Sequence, residues 1–262
     1  MNRSALFCLC PFRAKRIMAD HHSLQMKTLT LTCLLVAMAV QVVSGQKPGS
    51  QLSASDNPET AGDAFGLVKD EPGLRRVLLI GDSISIGYTL PVRRLLSGKA
   101  NVHRIPENAG TTTNGLAKLS QWLGRGKWDV IHFNWGLHDV KIMPDGSRQV
   151  TLENYQANLR ELVRQLRATG ATLIWATSTP VPKELDQLKV KRIAADVPIY
   201  NAVARSVMDE NQVAVDDLYA FALPRLTRIQ YHADVHYKDE GYEELASQVA
   251  ASIEAALDGK PR

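Results

Sequence analysis

The sequence predicts a flavodoxin-like three-layer α/β/α sandwich around a five-stranded parallel sheet of order 2-1-3-4-5. Three observations carry that expectation. Short apolar runs alternate with stretches of helical period from residue 75 to near the C-terminus, and strands alternating with helices fold as a parallel sheet covered on both faces. The first run, Val77-Leu78-Leu79-Ile80, is continuous rather than alternating, as a strand buried on both faces requires. Turn and cap residues stand at the junctions, with Gly81 after the first run, Thr151 before a helix and Gly170 after it.

The elements follow in order. Val77 to Ile80 is strand one, ended by Gly81, and a helix is predicted from Ile86 to Leu96. Asn101 to Ile105 is strand two, Leu116 to Leu123 a helix, and Asp129 to Trp135 strand three. Thr151 can cap a helix that places Leu152, Tyr155, Leu159, Leu162, Val163 and Leu166 on one face. Thr172 to Thr177 is strand four, Leu188 to Asn211 a helix, and Val213 to Val215 strand five. The last helix starts near Asp239 and buries Tyr242, Leu245, Val249, Ile253 and Leu257. In such a sheet ligands bind at the carboxyl ends of the strands, at the switch point between strands one and three.

Outside residues 75–262 the chain changes character. Lys27 precedes an apolar run from Leu29 to Val43, broken only by Thr30, Thr32 and Gln41, and small Ser44 and Gly45 then lead to Gln46. Residues 1–45 therefore read as a signal peptide, with Met26 as an alternative start. The run is shorter than a membrane span of about 20 residues, and an uncleaved anchor is the alternative. Cys33 follows Thr32 rather than a small residue, which argues against a lipid attachment site. Residues 46–74, rich in Gly, Ser, Pro, Asp and Ala, read as a flexible linker. The expected location is outside the cell or in the periplasm, without stable membrane insertion once the signal is cleaved.

Charge and cysteine usage exclude some functions. The whole chain carries 31 basic and 27 acidic residues, but without residues 1–45 the numbers are 26 and 26. Nothing in that balance points to nucleic acid or an anionic membrane surface as partner. All three cysteines, Cys8, Cys10 and Cys33, lie in the leader, so cysteine catalysis and cysteine metal sites are excluded from the domain.

Four segments at strand ends could carry chemistry. Gly81-Asp82-Ser83 follows strand one, where a serine at a helix N-terminus exposes its hydroxyl beside outward-facing N–H groups; the alternative is a turn with Asp82 or Ser83 as helix cap. Asn108-Ala109-Gly110 follows strand two, and Gly110 could present a bare backbone N–H. Asn134-Trp135-Gly136-Leu137-His138-Asp139 follows strand three, with Trp135 read as core or cleft wall. His232-Ala233-Asp234-Val235-His236 precedes the last helix. A histidine close to an aspartate is what a base and its orienting group need, and His232, Asp234 and His236 could instead ligate a metal.

The order of these segments resembles the SGNH (GDSL-like) hydrolases, over about residues 76–257. Gly81-Asp82-Ser83 matches that family's first block, Asn108-Ala109-Gly110 its second, Gly136-Leu137-His138-Asp139 its third and His236 its fifth, while Ser178-Thr179-Pro180-Val181-Pro182 is similar to the segment after its fourth strand. Two positions depart from the pattern. His138 stands where the family's third block carries an asparagine that donates to the oxyanion, and Ala233 stands three residues before the histidine where the family has aspartate.

The resemblance implies a serine esterase with Ser83 as nucleophile, His236 as base and Asp234, two residues before it, as orienting group. The oxyanion donors expected are the Ser83 and Gly110 N–H groups with His138 or Asn134, and Asp82, Trp135 and Asp139 are expected to line the substrate. The substrate expected is an O-acyl ester, acetyl above all, on a small molecule or polysaccharide. No cofactor or metal is expected. Two alternatives stay open: a non-catalytic carbohydrate-binding protein on this fold, and a metal-dependent hydrolase using His232, Asp234 and His236.

Overall fold

The computed structural model describes residues 64–183 and 191–259. The strands are β1 (Arg75–Ile80), β2 (Ala100–Arg104), β3 (Val130–Phe133), β4 (Thr172–Ala176) and β5 (Ala214–Asp216). The helices are α1 (Ser83–Leu95), α2 (Thr112–Leu123), α3 (Leu152–Arg167), α4 (Asp196–Glu210), the short α5 (Leu218–Ala222) and α6 (Leu226–Ile229), and α7 (Asp239–Asp258). All strands are parallel in the order β2-β1-β3-β4-β5, the predicted arrangement. Right-handed crossovers around that order put α1 on one face and α2 on the other. α7 packs on α1, and α3 packs between α2 and α4.

The core explains why the strands read as continuous apolar runs. Val77 to Ile80 in β1 and Val130 to Phe133 in β3 are buried throughout. On α3, Tyr155, Leu159, Leu162, Val163 and Leu166 form the buried stripe, and Thr151 Oγ1 accepts the Asn154 N–H as the predicted cap. Where α1 meets α7, Gly87 leaves no room for a side chain: a Cβ there would stand 2.2 Å from the Tyr242 ring.

Several boundaries differ from expectation. α1 and α2 begin at Ser83 and Thr112, earlier than the apolar period suggests, because Asp82 and Thr111 cap them through the N–H groups of Ile84 and Asn114. β5 lies one residue later than predicted. α4 starts at Asp196 rather than Leu188, and Leu188 itself is outside the described residues.

The leader 1–45 and residues 46–63 of the expected linker are also outside them, but residues 64–74 correct the domain boundary. Ala64 is fully buried, and the Phe65 ring lies 5.4 Å from the Arg104 guanidinium. Asp70 bonds Arg76 at 2.9 Å and His103 at 2.6 Å, and the Glu71 N–H donates to Asn101 Oδ1. This stretch is part of the domain, held by contacts that its linker-like composition does not reveal.

Candidate active site

The carboxyl ends of β1, β2 and β3 build the site. Beyond the strands, the Ala109 N–H donates to Gly81 O at 3.1 Å and the Asn134 N–H to Ile80 O at 2.9 Å. These bonds set the second and third loops on either side of Gly81-Asp82-Ser83, at the switch point of the sheet. Gly81 is needed for space rather than for an unusual turn, since a Cβ there would come within 2.6 Å of Ser85 Cβ. Asp82 is buried and accepts the Ile84 N–H at 3.0 Å. Ser83 is then the first residue of α1, and its N–H has no partner within the helix.

The C-terminal loop delivers the base. His236 Nε2 lies 2.9 Å from Ser83 Oγ, and His236 Nδ1 lies 2.6 Å from Asp234 Oδ1. Burial pushes the Asp234 carboxyl up, but hydrogen bonds from the His236 ring and backbone outweigh it and hold the carboxyl below its ordinary value. An ionised Asp234 accepts from Nδ1–H, which leaves Nε2 as the acceptor for the serine hydroxyl. Asp234 and His236 sit in one turn, which the chain enters through Ala233 at a left-handed φ of 51°. The same turn brings the His236 N–H to Asp234 Oδ1 at 3.1 Å. Gln230 secures the loop by donating from Nε2 to Pro180 O and Val235 O.

The remaining predicted residues divide. His138 is half-buried beside this group, close enough for Asp82 and His236 to affect its ionisation. Burial lowers its pKa first; Asp82 opposes this, and Lys141, Arg192 and His236 add to it, so the ring is neutral. Its Nδ1 is 3.2 Å from Lys141 Nζ. Gly110 has a positive φ of 63°, and its N–H donates to Asn108 Oδ1 at 2.9 Å. The free donor expected there is engaged by an Asx turn.

Asn134 is corrected as an oxyanion donor, because its amide is spent on Ala176 O at 2.8 Å and Ser178 Oγ at 3.4 Å. Trp135, 1% exposed, is core rather than substrate wall. Asp139 is fully buried and accepts from Thr112 N at 2.9 Å and Thr112 Oγ1 at 2.6 Å. Asp82, buried as a helix cap, likewise faces away from bulk solvent. These last three residues hold the loops rather than meet a substrate. The metal alternative fails on geometry: His232 is exposed, Asp234 and His236 bond each other, and among the described residues no three His, Cys, Asp or Glu side chains gather.

Three cations escaped sequence reasoning. Arg104, at the end of β2, is buried and donates to Ser85 Oγ at 2.7 Å and Gly81 O at 3.0 Å, clamping the turn that carries Ser83. Burial lowers it to about 10, so it stays charged at neutral pH. Arg192 donates from Nε to Leu137 O at 2.6 Å and holds the third loop. Lys141 meets His138. An arginine closing strand two was the one signal available for Arg104; no motif marks the other two. A recess of about 10 Å³ lies against Asp82, Ile84, Leu137 and Leu218, room for about one water.

Comparison with known proteins gives a family and a fold. The model of the GDSL-like lipase/acylhydrolase family matches residues 79–244. A lipase/acylhydrolase from Enterococcus faecalis is similar in structure, with a TM-score of 0.60 and 22% identity over 72% of this chain and 99% of that one. An acetylxylan esterase from Geobacillus stearothermophilus has a TM-score of 0.55 and 20% identity over 68% of this chain and 94% of that one. The acetyl xylan esterase AlAXEase has a TM-score of 0.58 and 14% identity over 68% of this chain and 99% of that one. No curated protein sequence matches the chain.

Proposed function

The chain belongs to the GDSL-like lipase/acylhydrolase family and is a carboxylic ester hydrolase, and from that premise we propose that it is an exported serine esterase removing a short O-acyl group from a carbohydrate. The observation that carries the reading is the unbroken hydrogen-bond chain Ser83 Oγ–His236–Asp234.

In the reaction, Ser83 Oγ bonds to the ester carbonyl carbon while His236 Nε2 takes its proton. The carbonyl oxygen becomes an oxyanion, met by the Ser83 N–H and by His138 as the side-chain donor. When the intermediate collapses, His236 returns the proton to the departing alkoxide and the acyl group stays on Ser83. A water deprotonated by His236 then attacks the acyl-serine, the bond from the carbonyl carbon to Ser83 Oγ breaks as His236 gives the proton to that oxygen, and the carboxylic acid leaves. Asp234 remains ionised throughout and supports the imidazolium.

Two observations favour the finer substrate reading. Two structurally similar proteins bear acetyl xylan esterase names. The leader-like N-terminus suits a substrate outside the cytoplasm.

A fluorophosphonate probe should label Ser83 and abolish p-nitrophenyl acetate hydrolysis, and Ser83→Ala should lose both labelling and activity. Hydrolysis that survives in Ser83→Ala would overturn the assignment, and a wild-type protein that neither labels nor hydrolyses acetate esters would leave the carbohydrate-binding alternative in its place.

A further inference from the structure

An imidazole can donate to an oxyanion only through a nitrogen that carries hydrogen, and a neutral ring has just one. His138 is therefore useful in one tautomer and repulsive in the other. Lys141 Nζ lies 3.2 Å from His138 Nδ1. An ammonium has hydrogens to give and no lone pair to offer, so Nδ1 accepts and the ring hydrogen sits on Nε2.

We propose that Lys141 is a positioning residue of the oxyanion hole, which holds His138 in the Nε2–H tautomer and so makes it a donor. The proposal rests on the serine-esterase reading above, in which His138 faces the developing oxyanion.

The surroundings support this role. The ionisable groups around His138 are Asp82 at the start of α1, Lys141 on its own loop, Arg192 from the segment before α4, and His236 from the C-terminal loop. Three of these four disfavour imidazolium, and burial acts the same way. The ring thus keeps a single hydrogen whose location must be specified. Lys141 is well placed to specify it. Its backbone N–H donates to His138 O at 3.3 Å, its carbonyl accepts the Gln149 N–H at 2.8 Å, and it forms an antiparallel bridge with Arg192. Arg192 in turn holds Leu137 O, the residue before His138. The ammonium is presented from a loop fixed on both sides, and the backbone that fixes it does not depend on the lysine side chain.

The test uses the full chain with Lys141→Met, which keeps length and removes the donor, and Lys141→Arg, which keeps a donor. Imidazole ¹⁵N shifts of wild-type His138 should show an acceptor-type Nδ1 and a hydrogen-bearing Nε2. In Lys141→Met both should move towards values averaged over the two tautomers, and Lys141→Arg should restore them. Deleting an oxyanion donor outright costs about 10²–10³ in kcat; loosening one should cost less, about tenfold in kcat for p-nitrophenyl acetate with KM little changed.

In a His138→Asn background the donor is an amide without tautomers, so adding Lys141→Met should change kcat by less than about twofold. His138 shifts that stay put in Lys141→Met would overturn the proposal, as would an equal loss of kcat in the His138→Asn background. Failure of the parent reading is separable: it shows as hydrolysis retained by Ser83→Ala, whereas the ¹⁵N shifts report on Lys141 and His138 whether or not the protein turns over.

Discussion

Two carboxyl groups in neighbouring loops show how environment sets the state of a residue. Asp234 is partly solvated and bonded to His236, and its pKa is lowered. Asp139 is sealed from solvent, with Thr112 donating twice to its Oδ1, and its Oδ2 has no hydrogen-bond partner. Burial pushes Asp139 up to about 7 against the two Thr112 bonds that pull it down, with Asp82 adding to the rise. A folded pKa above the unfolded value near 3.9 means that the folded state binds the extra proton. The stability that Asp139 contributes is fully present below about pH 4 and is lost as pH rises to about 7. Asp139→Asn keeps the acceptor for Thr112 but cannot ionise. Thermal melts of both proteins should therefore show the wild-type Tm falling relative to the variant between pH 4 and 7, with a constant difference above. Parallel curves across that window would show that Asp139 does not titrate there.

At the scale of elements, the loop before α7 makes the two-residue spacing of Asp234 and His236 productive. Residues two apart in an extended segment share a face, because alternate side chains point to opposite sides, and Asp234 accepts from both the backbone N–H and the ring of His236. Ala233 enters this turn at a left-handed φ of 51°, at a cost of about 1–2 kcal/mol for a residue with a Cβ. The loop sustains that strain through Gln230 and the bridge between Gln230 and Tyr237. Asp234→Asn can keep the turn, since its side-chain oxygen still accepts the His236 N–H, but it no longer supports the imidazolium or enforces the ring tautomer. Its kcat should drop by about 10²–10⁴ with little change in Tm, and a loss under tenfold would mean a Ser–His dyad.

Strands, caps and the Gly81-Asp82-Ser83 turn were legible in the sequence because their signals are local: apolar runs, Thr151, Asp82. Ser83 and His236 stood out as candidates in the sequence because the first follows such a turn and the second precedes the last helix. Which of the candidate oxyanion donors has a hydrogen to spare was not legible. Whether the Asn134 amide or the Gly110 N–H is free depends on Ala176 O and Asn108 Oδ1, and partner choice across loops leaves no periodic trace.

At the scale of the whole molecule, the sheet order does the assembling, because residues 83 and 236, 153 positions apart, meet only when α7 returns to α1. The same closure makes the start of the domain matter. Composition assigned residues 64–74 to a linker as the end of a stretch from residue 46 rich in Gly, Ser, Pro, Asp and Ala. Yet Ala64 is buried and Phe65 covers the guanidinium of Arg104, which itself holds Gly81 O and Ser85 Oγ beneath the nucleophile. The segment therefore connects by two contacts to Ser83, through Arg104 and the β1–α1 turn. A chain beginning at Pro72 should lose the burial of Ala64 and Phe65, worth about 2 kcal/mol, which for a domain of this size is about 4–8 °C in Tm. It should also lose activity beyond what the stability change explains when assayed well below its Tm, because Arg104 gains water and its hold on Gly81 O loosens. A chain beginning at Gln46 keeps the segment and is the comparison. Equal Tm and equal kcat/KM for the two chains would return residues 64–71 to the linker that their composition suggests.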